Sequence, residues 1–180
     1  MKILLVSFPR YSTDDINPGE ELLKSIDPKE VTPLLLPLSW SRSKMALEDK
    51  IREMNPDAIL IMNLCPYRDL PTLEQYASNK KEWAEPDIDQ ILASGEEIIK
   101  DGPKIRTTSL DLDALSTHLS AQGQRNSRSF DGGYFLDNQA YYLSLAHCPN
   151  SLLFHLPKPE DLPLSEQKEA LDALLHFLKA

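Results

Sequence analysis

Four short apolar runs, separated by stretches of helical period, organise the chain. Ile3 to Val6 is uninterrupted and apolar, the pattern of a strand buried on both faces. A polar loop follows, and then Asn17-Pro18 reads as a helix N-cap with proline at the first helical position. Leu22, Leu23 and Ile26 supply the apolar face of that short helix. Val31 to Leu36 predicts a second strand, closed by Pro37. Between Ser41 and Asn55, Leu47, Ile51 and Met54 fall at i, i+4 and i+7, which predicts an amphipathic helix. Ala58 to Met62 is the third buried strand. Strand, helix, strand, helix, strand argues for a parallel-rich sheet covered by helices.

The segment from Asn63 to Gly102 is less regular, with Pro66, Pro71 and Pro86 and a polar run from Ser78 to Glu82. A connection this long is functional or holds small elements of its own. Pro103 to Thr108 predicts a short strand, and Leu112, Leu115 and Leu119 a helix ended by Gly123. Arg125 to Ser129 reads as extended, Gly132-Gly133 as a tight turn, and Phe135, Tyr142 and Leu143 as part of a helix reaching about His147. Ser151 to His155 is the last strand, and Ser165 is expected to cap a final helix with Leu171, Leu174, Leu175 and Leu178 facing inward. The pattern predicts one α/β domain over residues 1–180: a three-layer α/β/α sandwich on a mostly parallel mixed sheet.

Composition narrows the partners. The 180 residues are 41% apolar, enough to fill a sizeable core. The formal charge is −9 and the sequence pI about 4.9, which argues against nucleic acid or an anionic membrane as the main partner. The apolar start is too short for a signal-peptide core, and no run has the length of a membrane span. Cys65 and Cys148 do not make a disulfide framework. Together these features predict a cytoplasmic protein.

Sites in open α/β sheets form at the carboxyl ends of strands. The loop after Met62, the glycine turn before Asp137, and His155 all fall at such ends. Asp137 is placed in a first helical turn, where free N–H groups and the helix dipole favour an anion. Each residue alone has a plainer reading: Asp137 as a helix-start acid, His155 as a structural histidine, Glu74 as a solvated loop acid. Cys148, before Pro149, reads as a packed thiol; Cys65 follows a strand on the side of the sheet where a site is expected.

Taken together, these stretches resemble the pyroglutamyl peptidase I (pyrrolidone-carboxylate peptidase) family of cysteine peptidases. The likeness runs through Ser7-Phe8-Pro9-Arg10-Tyr11, Asn17-Pro18, Leu36-Pro37, the spacing of Arg68, Glu74 and Asn79, Pro86-Asp87 and Asp101-Gly102-Pro103. It continues through Gly132-Gly133-Tyr134-Phe135-Leu136-Asp137-Asn138, Tyr142 and His155-Leu156-Pro157. The resemblance implies Glu74, Asp137 and His155 at the catalytic positions, with Asp137 where the family has its nucleophilic cysteine. It also implies Phe8, Tyr11, Glu85, Phe135 and Leu136 around the substrate pocket, with Ala84 and Glu85 replacing the family's arginine and isoleucine. The family's glycine-rich approach to its glutamate is replaced by Asn63-Leu64-Cys65-Pro66-Tyr67.

A thiolate attacking an amide gives a thioester that water can hydrolyse. A carboxylate would have to give a mixed anhydride, far above the amide in energy. Asp137 does preserve the resting electrostatics, since a cysteine–histidine pair rests largely as thiolate and imidazolium. Three readings follow, in this order. The first is a non-catalytic relative that binds a small molecule or a peptide N-terminus. The second is a hydrolase of altered chemistry using Asp137, His155 and Glu74, or Cys65 as nucleophile. The third is a divalent metal held by the same three residues. No cofactor is implied, and the family's habit of forming homo-oligomers makes self-association an expectation.

Overall fold

Alternate residues of the first strand serve opposite cores. A computed structural model describes residues 1–11 and 16–180; the polar loop read before Asn17 lies, for residues 12–15, outside the described residues. In β1 (Ile3–Ser7), Ile3 and Leu5 point to one side of the sheet and Leu4 and Val6 to the other. The side-chain period of a strand is two, so an uninterrupted apolar run is what two covered faces require. β3 (Ala58–Leu64) and β10 (Ser151–Leu156) follow the same rule and are buried along their whole length.

The central sheet has six strands in the order β2 (Thr32–Leu35), β1, β3, β10, β4 (Thr72–Glu74), β9 (Ser127–Ser129). All neighbours run parallel except β10 and β4. One face carries α1 (Pro18–Ser25), α3 (Leu112–Ala121) and α5 (Leu164–Lys179), whose leucines pack on Leu60, Met62, Leu152 and Phe154. The other face carries α2 (Trp40–Met54) and α4 (Leu136–His147), packed on Ile59, Ile61 and Leu153. The result is the expected three-layer α/β/α sandwich with a mostly parallel mixed sheet. Among the described residues no helix is long and apolar enough to cross a membrane.

The irregular middle of the chain holds the small elements β5 (Tyr76–Ser78), β6 (Lys81–Glu82), β7 (Ser94–Glu96) and β8 (Ile105–Thr107). β5 pairs with β8 and β6 with β7, both antiparallel. Two expectations need correction here. Glu74 is not a solvated loop acid: it ends β4 inside the main sheet and is 0% exposed. Ser165 is not the cap of the last helix: Pro163 takes the N-cap position, and no side chain caps the turn.

Glycine is required at two places that shape the site. A Cβ on Gly19 would meet Ser7 Oγ at 2.6 Å and the Met62 carbonyl oxygen at 2.8 Å, so only glycine lets α1 start this close to β1 and β3. Gly133, at φ +69°, takes the left-handed turn that leads into α4.

Candidate active site

Each element of the site is aimed by the sheet's pleat. Phe154 faces α5 and α3, so the next residue, His155, faces α4. Thr72 lies directly opposite His155 in the antiparallel pairing, and Glu74, two residues on, shares that face. On the other side of His155, Asn63 of β3 is its parallel partner. Asp137 comes from above, in the first turn of α4.

Three consecutive side chains fix that turn. Asn138 bonds the Ser78 amide and carbonyl and the Lys80 carbonyl. Gln139 donates to the Trp40 carbonyl and Ser43 Oγ of α2. Asp137, between these lines of attachment and the sheet, points at His155.

The three titratable groups form a line of carboxylate, imidazole, carboxylate. His155 Nδ1 lies 2.9 Å from Glu74 Oε1, and His155 Nε2 lies 3.0 Å from Asp137 Oδ2. Asp137 Oδ2 also accepts from Asn63 Nδ2 at 2.7 Å, and its Oδ1 accepts from the Asn138 amide at 2.8 Å. Glu74 Oε1 accepts from Thr72 Oγ1 at 3.0 Å and has Arg68 Nη2 at 3.7 Å. Burial works against a charged imidazole, but the hydrogen bonds and charges of Asp137 and Glu74 outweigh it and raise the pKa of His155 to about 10. At neutral pH the line is an imidazolium between two acidic groups.

This arrangement bears on the metal reading. The carboxylates bond opposite ends of the imidazole, so the three groups do not converge on one point. Among the described residues no cluster of three or more His, Cys, Asp or Glu side chains is arranged to hold a metal ion.

Above Asp137 and His155 opens a cavity of about 400 Å³. Of the expected pocket residues, Tyr11 and Phe135 line it. Phe8 and Leu136 are buried in the core on the α2–α4 side of the sheet and do not line it. Glu85 is exposed and outside the lining, as is Ala84. Sequence reasoning missed Trp83, Tyr67, Tyr134 and Asp131, all of which line the cavity. Trp83 packs on Phe135 with ring centroids 4.3 Å apart, and Tyr11 meets the same ring at 5.2 Å. Cys65 also lines the cavity, whereas Cys148 is buried at the end of α4, where burial raises its pKa.

Two asparagines complete the floor. Asn17 caps α1, accepting from the Gly19 amide, and also donates to the Phe8 carbonyl and to Asn63 Oδ1. Asn63 in turn donates to Asp137, so the first helix cap is wired to the site. The available signal was a polar residue closing an apolar strand, Asn63 after Ala58 to Met62. Trp83 and Tyr67 had none, because their place depends on how the irregular middle of the chain folds back.

Comparison with known proteins gives the chain its family and confirms its fold. The pyroglutamyl peptidase family model matches residues 1–156. The pyrrolidone-carboxylate peptidase of Pyrococcus furiosus is 28% identical over 152 residues, covering 82% of this chain and 73% of that protein. The crystal structure of the Thermus thermophilus pyrrolidone carboxyl peptidase superposes with a TM-score of 0.87 at 26% identity, covering 96% and 98% of the two chains. That of Fervidobacterium islandicum reaches 0.92 at 24% identity, covering 99% and 98%. The chain belongs to the pyroglutamyl peptidase family.

Proposed function

We propose that this protein is a catalytically degenerate member of the family that binds a small molecule or a peptide N-terminus over Asp137 and His155. One observation carries the reading. The acid at the helix start is an aspartate whose carboxylate is engaged by His155, Asn63 and the Asn138 amide. Such a group acts as an anion that orders the site. As a nucleophile toward an amide it would have to form an anhydride, with no thiolate to give the lower-energy thioester. His155, with both ring nitrogens engaged and its pKa raised to about 10, is a poor general base at neutral pH.

The experiment is release of a chromogenic amine from a pyroglutamyl conjugate, with His155→Ala as the blank. The unmodified protein is expected to stay at background. Asp137→Cys alone should recover little; Ala84 and Glu85, which stand outside the cavity, offer no route to a larger recovery. An altered hydrolase remains the second reading because Cys65 lines the same cavity. Cleavage by the unmodified protein that disappears in Cys65→Ala or Asp137→Ala would overturn the degenerate reading and identify the nucleophile.

A further inference from the structure

The carboxylates of the cavity keep unspent acceptor capacity. A carboxylate offers about four lone-pair positions. Asp137 uses three, two on Oδ2 for Asn63 and His155 and one on Oδ1 for the Asn138 amide. One position on Oδ1 is left, on a side chain that lines the cavity. Asp131, also on the wall, accepts through Oδ1 from the Gly133 amide and keeps its second oxygen.

The two cations of the wall are directed elsewhere. His155 gives both ring nitrogens to carboxylates. Arg68 donates through Nη2 to Ser129 Oγ and the Asp131 carbonyl and sits against Glu74, with its Nε buried and without a partner. Rings close the remaining sides: Trp83 and Tyr11 pack on Phe135, and the ring of Tyr134 already carries the Lys80 ammonium 4.5 Å from its centroid. Aromatic faces attract cations, and more strongly where water is excluded. An anionic ligand would meet Asp137 and Asp131; a neutral lactam has one N–H to give a carboxylate but brings no charge to the carboxylates or to the ring faces.

We infer that the group bound beside Asp137 is a protonated amine carrying at least one N–H, seated among the rings of Tyr11, Trp83 and Phe135. The inference rests on the ligand-binding reading above and gives that reading its ligand class. The N–H meets Asp137 Oδ1, and the positive charge is shared between the carboxylates and the ring faces.

The test uses two matched pairs in calorimetric titrations of the intact protein: prolyl-alanine amide against pyroglutamyl-alanine amide, and prolinamide against pyroglutamamide. Within each pair the five-membered ring is kept and a ring carbonyl turns the ammonium into a lactam. The prolyl compounds are expected to bind at least about tenfold more tightly. Their affinity should fall as pH rises through the amine's own pKa, while any lactam binding stays flat. Asp137→Asn should remove the preference. Trp83→Ala, at a half-exposed position that does not threaten folding, should weaken the prolyl compounds several-fold. Tighter binding of the dipeptide than of prolinamide marks a peptide N-terminus as the source, and equal binding a free amine; both support the inference. Lactams that bind as well as their prolyl partners, or a preference that survives Asp137→Asn, would overturn the amine assignment while the ligand-binding reading stands. If none of the four compounds binds, both fall.

Discussion

The floor and the mouth of the cavity are built on opposite principles. On the floor, Glu74, His155 and Asp137 are buried and joined in one line, with Thr72, Asn63 and Asn17 filling further positions. At the mouth, Tyr67 is 91% exposed, Trp83 46% and Tyr134 41%. Unpaired charge in a low-dielectric interior is costly, so the floor is specified group by group. The mouth is apolar surface left open, which a folded chain retains at a cost unless something covers it. Order is thus built where the buried charges are, while the rings above them stand largely open.

The sharpest way to break this comparison is to remove one charge of the floor. His155→Ala leaves Glu74 and Asp137 buried without their shared counter-charge and should cost about 3–5 kcal/mol in urea unfolding. A loss under ~1 kcal/mol would mean that the line contributes no more than a surface pair. The next effect is on pH dependence. Because the folded pKa of His155 is raised to about 10, its contribution is fully present below its unfolded value of about 6.5 and is lost as pH rises through about 10. Unfolding free energy should therefore fall by up to roughly 5 kcal/mol across that window. NMR titration of the imidazole should place its midpoint well above that of an exposed histidine.

A smaller effect is expected from Asn63→Ala, which cuts the link between Asn17 and Asp137 and should cost about 1–3 kcal/mol. Restoring a donor with Asn63→Gln should not recover it fully, because the longer side chain cannot keep both its bond to Asp137 in α4 and its bond from Asn17 at the start of α1. The smallest stability effect belongs to the mouth: Trp83→Ala should change unfolding free energy by less than ~1 kcal/mol. A large loss there would mean that the aromatic wall belongs to the core.

The chain's own pattern determined the frame. Apolar runs at β1, β3 and β10 dictate strands covered on both faces, and the helical periods between them dictate the layers. Asn17-Pro18 and Gly132-Gly133 mark where helices begin, because capping and turn chemistry are local. The site was legible through Asp137 and His155, which follow local signals, and through Glu74 only by its spacing from Arg68 and Asn79. Only the tertiary structure decided that Glu74 is a strand residue at 0% exposure, because β4 is three residues long and exists by pairing with β10 and β9. It likewise decided that Phe8 and Leu136 belong to the core, that Glu85 stands outside the cavity, and that Trp83 and Tyr67 line it. Side chains in an irregular connection are placed by long-range pairing such as β6 with β7, and no short-range period encodes that.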